Sequence, residues 1–119
     1  MSVLQEKSYT FALRMVKMCR YLQEERREYI LSKQTLRSGT AIGALVAEAQ
    51  YAQSKADFIN KLHVALKEAN ETHYWLRLLG DSGYLNRKTV ESLKKDSEEL
   101  LKLLTSSINT SKANHDNHL

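Results

Sequence analysis

Proline is absent from the 119-residue chain, glycine occurs four times, and cysteine and tryptophan once each. Without proline no helix is forcibly broken, and β-sandwiches and barrels seldom build their turns without proline and glycine. The lone Cys19 excludes an internal disulfide framework and a cysteine-based zinc site, and it suits a reducing compartment. Long apolar runs are missing too. Nothing approaches the roughly 20 residues that cross a bilayer, and Met1 to Lys7 lacks the basic-then-apolar order of a signal peptide. The expectation is a cytoplasmic protein with no membrane contact. Charge is only mildly one-sided, a net +4 that is compatible with a polyanionic partner without requiring one.

What is present is apolar spacing of helical period. Phe11, Met15, Met18 and Leu22 follow one another at 4-3-4, with Tyr29 seven further on. Leu31, Thr35, Ser38, Ile42, Leu45, Ala49 and Ala52 form a second row. Phe58, Leu62, Ala65, Ala69, Thr72, Leu76 and Leu79 form a third, and Val90, Leu93, Ser97, Leu100, Leu104 and Ser107 a fourth. No stretch alternates with period two. The spacing predicts an all-α, up-down-up-down antiparallel four-helix bundle.

Punctuation places helices over 4–27, 32–52, 55–82 and 87–109. Ser32 is a candidate cap for the second helix, Ser54 with Asp57 has capping-box spacing, Gly83 suits a left-handed C-terminal cap, and Asn86 or Thr89 opens the last helix. The domain organisation is then a bundle over 1–110 and a flexible polar tail over 111–119. Within the second helix, Gly39, Gly43 and Ala47 recur every four residues. Each glycine costs roughly 1 kcal/mol relative to alanine inside a helix, which close approach of another helix would offset. That helix belongs either to the same bundle or to another subunit.

Chemistry is sparse. A di-metal bundle needs Glu-x-x-His on two helices, whereas His63 and His73 are preceded at that spacing by Asn60 and Asn70, and His115 and His118 fall in the tail. Cys19 sits in an apolar stretch where a thiol is usually inert. No nucleophile elbow or phosphate loop exists, so no enzymatic activity, metal or cofactor is expected. Arg37 and Glu48 share a helix face, and Glu68 and Glu71 stand at i, i+3 on the next helix. They form a candidate structural ion-pair network, because a carboxylate beside an apolar stripe needs a cation or donors. A pocket lined by Glu48, Glu68, Glu71 and His73 is the competing expectation for a small-ligand bundle. Arg14, Lys17, Arg20, Arg26, Arg27 and Lys33, interleaved with Tyr21 and Tyr29, are the candidate nucleic-acid contacts. The same residues suit a solvated helix face, since Glu24, Glu25 and Glu28 lie among them.

The stretch Ser32-Lys-Gln34-Thr-Leu-Arg37-Ser38-Gly-Thr-Ala-Ile42-Gly43-Ala44-Leu-Val-Ala-Glu48-Ala49 resembles the Q-x-x-R-S-x-x-S-I-x-x-N-x-x-E-[AG] core of the bacterial four-helix bundle proteins encoded in 23S rRNA intervening sequences. Phe58-x-x-x-Leu62-x-x-Ala65-x-x-Glu68-Ala-x-Glu71-Thr-x-x-Trp75-Leu76 is similar to that family's third helix. The family also takes in accessory proteins of diversity-generating retroelements. The resemblance implies a homopentameric ring that binds RNA or DNA, or a reverse-transcriptase partner, without catalysis. It also carries a ribosomal-protein label that reflects gene location and does not imply ribosome membership. Ala41 and Leu45 stand where the family pattern has serine and asparagine, so no polar role carries over there. The leading expectation is an oligomeric bundle binding RNA through a basic surface. The alternative is an adaptor for a reverse-transcriptase-like or other enzyme.

Overall fold

The computed structural model describes residues 2–117. Four helices account for it: α1 (Val3–Glu25), α2 (Leu31–Ala49), α3 (Lys55–Asp81) and α4 (Arg87–Asn117), with no strand among the described residues. Ser2 opens α1 through a full capping box. Its Oγ accepts from Gln5 N at 3.1 Å, and its own N–H donates to Gln5 Oε1 at 3.0 Å. Ser54 caps α3 through Asp57 N at 3.0 Å, while Asp57 Oδ2 accepts from Gln53 N rather than from the cap residue itself. Asn86 Oδ1 accepts from Thr89 N at 2.8 Å and starts α4.

Gly83 ends α3 in the left-handed region at φ 85°. Tyr84 N reaches Leu79 O at 3.0 Å and Gly83 N reaches Gly80 O at 3.1 Å, the paired bonds of a Schellman motif. The α1 end departs from expectation. The helix stops at Glu25 because Arg27 adopts φ 54°, and Arg26 N and Glu28 N both donate to Leu22 O. Tyr29 therefore leaves the inward row and is half exposed. Ser32 is not the cap of α2. It lies buried inside the first turn, and the orphan N–H groups of Ile30, Leu31 and Ser32 are accepted by the Glu28 carboxylate at 3.1, 2.9 and 2.7 Å.

Sequential helices pack as antiparallel neighbours, α1 on α2, α2 on α3 and α3 on α4, and α4 closes the square against α1 over a shorter seam. The molecule measures 53 × 21 × 21 Å. Phe11, Met15 and Leu22 meet Ile42, Val46, Leu62, Leu76, Leu79, Leu93, Leu100 and Leu104 in one continuous core. Full burial of each large side chain contributes about 1.5–3 kcal/mol. α4 does not end near 109. Its inward row continues through buried Ile108 and Ser111, and up to Asn117 the expected tail is helix. His118 and Leu119 lie outside the described residues.

Small residues on α2 admit α1. A Cβ on Gly39 would stand 2.5 Å from Met15 Cγ and 2.7 Å from Met15 Sδ, and one on Gly43 would stand 3.2 Å from Ser8 O. Both glycines thus serve packing inside the bundle. Ala47, by contrast, is exposed.

Candidate nucleic-acid interface

Antiparallel packing brings the C-terminal half of α1, the start of α2, the end of α3 and the start of α4 to one end of the bundle. The six basic residues singled out above do not act as one stripe there. Arg14 Nη1 is ion-paired with Asp96 Oδ2 on α4, and its Nη2 donates to Ser92 Oγ at 3.1 Å. Arg26 Nη1 donates to Gly83 O at 3.1 Å and Tyr84 O at 2.9 Å, with its guanidinium carbon 5.3 Å from the Tyr84 ring centroid. These two arginines are clasps that tie α1 to the α3–α4 connection and to α4. Lys17, Arg20, Arg27 and Lys33 are exposed, with no ion-pair partner among the described residues. Arg77, Arg87 and Lys88 share that condition and that end of the molecule. Their place is not legible in the linear sequence, because only the packing of α3 and α4 in the bundle brings them to the end that Lys17 and Arg20 occupy.

Between the two clasps the α1–α4 seam opens into a cleft of about 460 Å³, lined by Lys17, Met18 and Tyr21 of α1 and Leu85, Asn86, Thr89 and Leu93 opposite, with Arg14 at its edge. Its floor is mostly apolar and none of its lining residues is acidic. Nothing in the linear spacing announces this cleft, because it depends on how α1 and α4 are set against each other.

The acid–base network is smaller than expected. Arg37 Nη1 bonds Glu68 Oε2 at 2.7 Å and its Nη2 is paired with Glu71 Oε2, which also accepts from Trp75 Nε1 at 3.0 Å. The Trp75 N–H and the Arg37 guanidinium hold the Glu71 carboxyl below its ordinary range, against a smaller opposing effect of burial. Thr72 Oγ1 donating to Ser38 Oγ at 2.9 Å adds a second polar link between α2 and α3. Glu48 is not part of this group. It points outward and lies 3.9 Å from Lys61, while His73 faces Glu98 of α4 at 3.9 Å. Of the four side chains expected around a ligand pocket, Glu68 and Glu71 thus share Arg37 while Glu48 and His73 face other partners, and among the described residues no cluster of His, Cys, Asp or Glu could hold a metal ion. No helix among the described residues is long and apolar enough to cross a membrane.

A further surface lies on the outward side of α1. Tyr9, Leu13 and Val16, spaced 4 and 3, are 65%, 54% and 41% exposed and form an apolar ridge that Arg20 extends. Beside the ridge, and sharing Tyr9 with it, runs a shallow trough lined by the small residues Ala12, Thr40, Gly43, Ala44 and Ala47 together with Gln5, Glu6 and Thr10.

These features define a small antiparallel four-helix bundle with a cationic end and an apolar outer ridge. The family model for 23S rRNA-intervening sequence proteins matches residues 2–106, and the chain belongs to that family. A crystal structure of a protein of unknown function from the S23 ribosomal protein family of Bacteroides thetaiotaomicron is 55% identical. The match covers 89% of this chain and 98% of that one, with a TM-score of 0.88. The sequence matches none of the curated proteins compared with it.

Proposed function

We propose that this chain is a non-catalytic, self-associating bundle that binds RNA through the cationic end of the molecule. The carrying observation is that Lys17, Arg20, Arg27, Lys33, Arg77, Arg87 and Lys88 gather there, exposed and without ion-pair partners among the described residues, outnumbering Glu24, Glu25, Asp81 and Glu91. Phosphate contact by such groups releases counterions, so affinity falls as a power of salt concentration. The test is fluorescence anisotropy with a structured RNA from about 50 mM salt upward. The Lys17→Ala/Arg20→Ala double variant should bind more weakly and flatten the log–log salt slope by about two. Arg14 is left intact because its loss would open the Asp96 clasp. Absence of binding at low salt, or unchanged binding by the double variant, sinks the proposal and favours the adaptor reading. Co-precipitation of an enzyme partner that survives nuclease treatment would then be the expected result.

Self-association is supported by the Tyr9–Leu13–Val16 ridge and the adjacent small-residue trough. A ridge on one copy seated in the trough of the next is a head-to-tail contact, which closes into a ring when the rotation permits. A closed ring of five would scatter light as a particle of about 68 kDa, five times the 13.7 kDa chain.

A further inference from the structure

The cleft in the α1–α4 seam has chemistry that a phosphate-binding surface alone does not need. Arg14 clasps α4 at one end and Arg26, the C-cap of α1, clasps the α3–α4 connection at the other, twelve positions on, or about 18 Å at 1.5 Å per residue. Between them the two helices are not bridged by any hydrogen bond or ion pair among the described residues. Met18, Leu85 and Leu93 give that gap an apolar floor, and Tyr21, 44% exposed, supplies an accessible aromatic ring. Asn86 and Thr89 add an amide and a hydroxyl at its wall. Asn86 Oδ1 is occupied by capping α4, which leaves the amide N–H groups free to donate. The Lys17 ammonium stands at the rim with no acid among the lining residues, and Arg20, outside that lining, lies one turn along α1 toward the outer ridge, where a strand leaving the cleft would meet it. A cavity of about 460 Å³ falls in the size range of small-molecule sites, about 300–1,000 Å³.

We infer that this cleft accepts an unpaired nucleobase, stacked against Tyr21 over the Met18–Leu93 floor, with Lys17 and Arg20 meeting the phosphates of the strand that carries it. The occupant follows from complementarity. An apolar slot with one aromatic face, hydrogen-bonding groups on its wall and a cationic rim free of acid matches an anionic chain bearing flat, edge-polar rings. A paired base is not available for such insertion, so the substrate class is single-stranded RNA or the unpaired loop of a structured one.

This assignment rests on the proposed RNA binding, and the experiment separates the two. Full-length protein is titrated into a labelled single-stranded RNA and into a duplex of the same length, at low salt, with Tyr21→Ala, Tyr21→Phe and Lys88→Ala as variants. Tyr21 is partly exposed, and thermal melts establish that each variant folds. Stacking of one base is worth about 1–3 kcal/mol, so Tyr21→Ala should weaken single-strand binding roughly 5- to 160-fold. Duplex binding should be unchanged in Tyr21→Ala, Tyr21→Phe should retain single-strand affinity, and Lys88→Ala should weaken both RNAs alike. A 2-aminopurine placed in the single strand should lose fluorescence on binding to wild type and keep it with Tyr21→Ala. Equal single-strand affinity for wild type and Tyr21→Ala, with duplex still bound, overturns the base-accepting cleft and leaves the cationic surface standing. Binding of neither RNA overturns both.

Discussion

Glu28 replaces a conventional cap with a side chain that reaches forward into the next helix. Burial disfavours its charged form, but the N–H groups of Leu31, Ser32 and Ile30 together outweigh that and hold its carboxyl below the ordinary 4.5. Glu28→Ala should cost about 1–2 kcal/mol, as loss of a good N-cap does, seen as a lower thermal midpoint. The pH dependence has a definite sign. A carboxyl whose native pKa is depressed stabilises fully above its unfolded value and less as pH falls through the native one. Acid titration should therefore destabilise wild type below about pH 4.5 by an increment that Glu28→Gln lacks. One residue earlier in the turn, Arg27 holds φ 54°, a region costing an L-residue about 1 kcal/mol that glycine avoids. Arg27→Gly should raise stability in chemical denaturation by about 0.5–1 kcal/mol while lowering RNA affinity. A variant that loses both would show that the Arg27 side chain also supports the fold.

Glycines thin α2 at Gly39 and Gly43 to admit α1, and α3 at Gly80 to admit Val90 of α4. Gly39→Ala drives a methyl group to within 2.5 Å of Met15 Cγ and 2.7 Å of its Sδ, in a side chain that is fully buried, so overpacking should exceed the gain in helix propensity. The expected net loss is about 1–2 kcal/mol. Gly43→Ala meets the Ser8 backbone less closely, O at 3.2 Å and C at 3.4 Å, and its propensity gain should leave stability within about 0.5 kcal/mol of wild type. Equal melting temperatures for the two variants would contradict this reading of the α1–α2 contact. The same contrast marks what linear spacing reveals. Gly83 and Ser54 were legible as caps, and Asn86 as one of two candidates with Thr89, because each is a local bond spanning three to five residues. Ser32 was misplaced because its helix start is secured from Glu28, outside the usual cap set. The end of α4 was misplaced because Ser111 is a polar residue in an inward row. Arg37 with Glu68 and Glu71 could be anticipated from spacing on two helices. Glu48 could not be excluded, because helix rotation decides which side of α2 meets α3. The Arg14–Asp96 pair joins residues 82 positions apart and leaves no mark in either segment alone.

Taken as one body, the molecule presents an outer ridge of tyrosine, leucine and valine that a single copy leaves in water. Leu13→Lys places a charge at the centre of that ridge without entering the core, since Leu13 is 54% exposed. In light scattering it should reduce an assembled wild type to the mass of one chain while leaving the thermal unfolding of the bundle itself nearly unaltered. An assembly that persists in Leu13→Lys would move the subunit contact elsewhere.

Three of the four helix contacts join segments that follow one another directly along the polypeptide, and only the pairing of first with last spans most of its length. Short-range contacts close with little loss of chain entropy, and long-range ones close slowly. The successive hairpins are thus expected to form early, and the first helix to zip onto the fourth as the concluding event, secured by its pair of guanidinium latches. The same order read backwards makes that lightly sealed edge the first to breathe in the native state. An extended strand would then have a route inward that leaves the other three contacts shut.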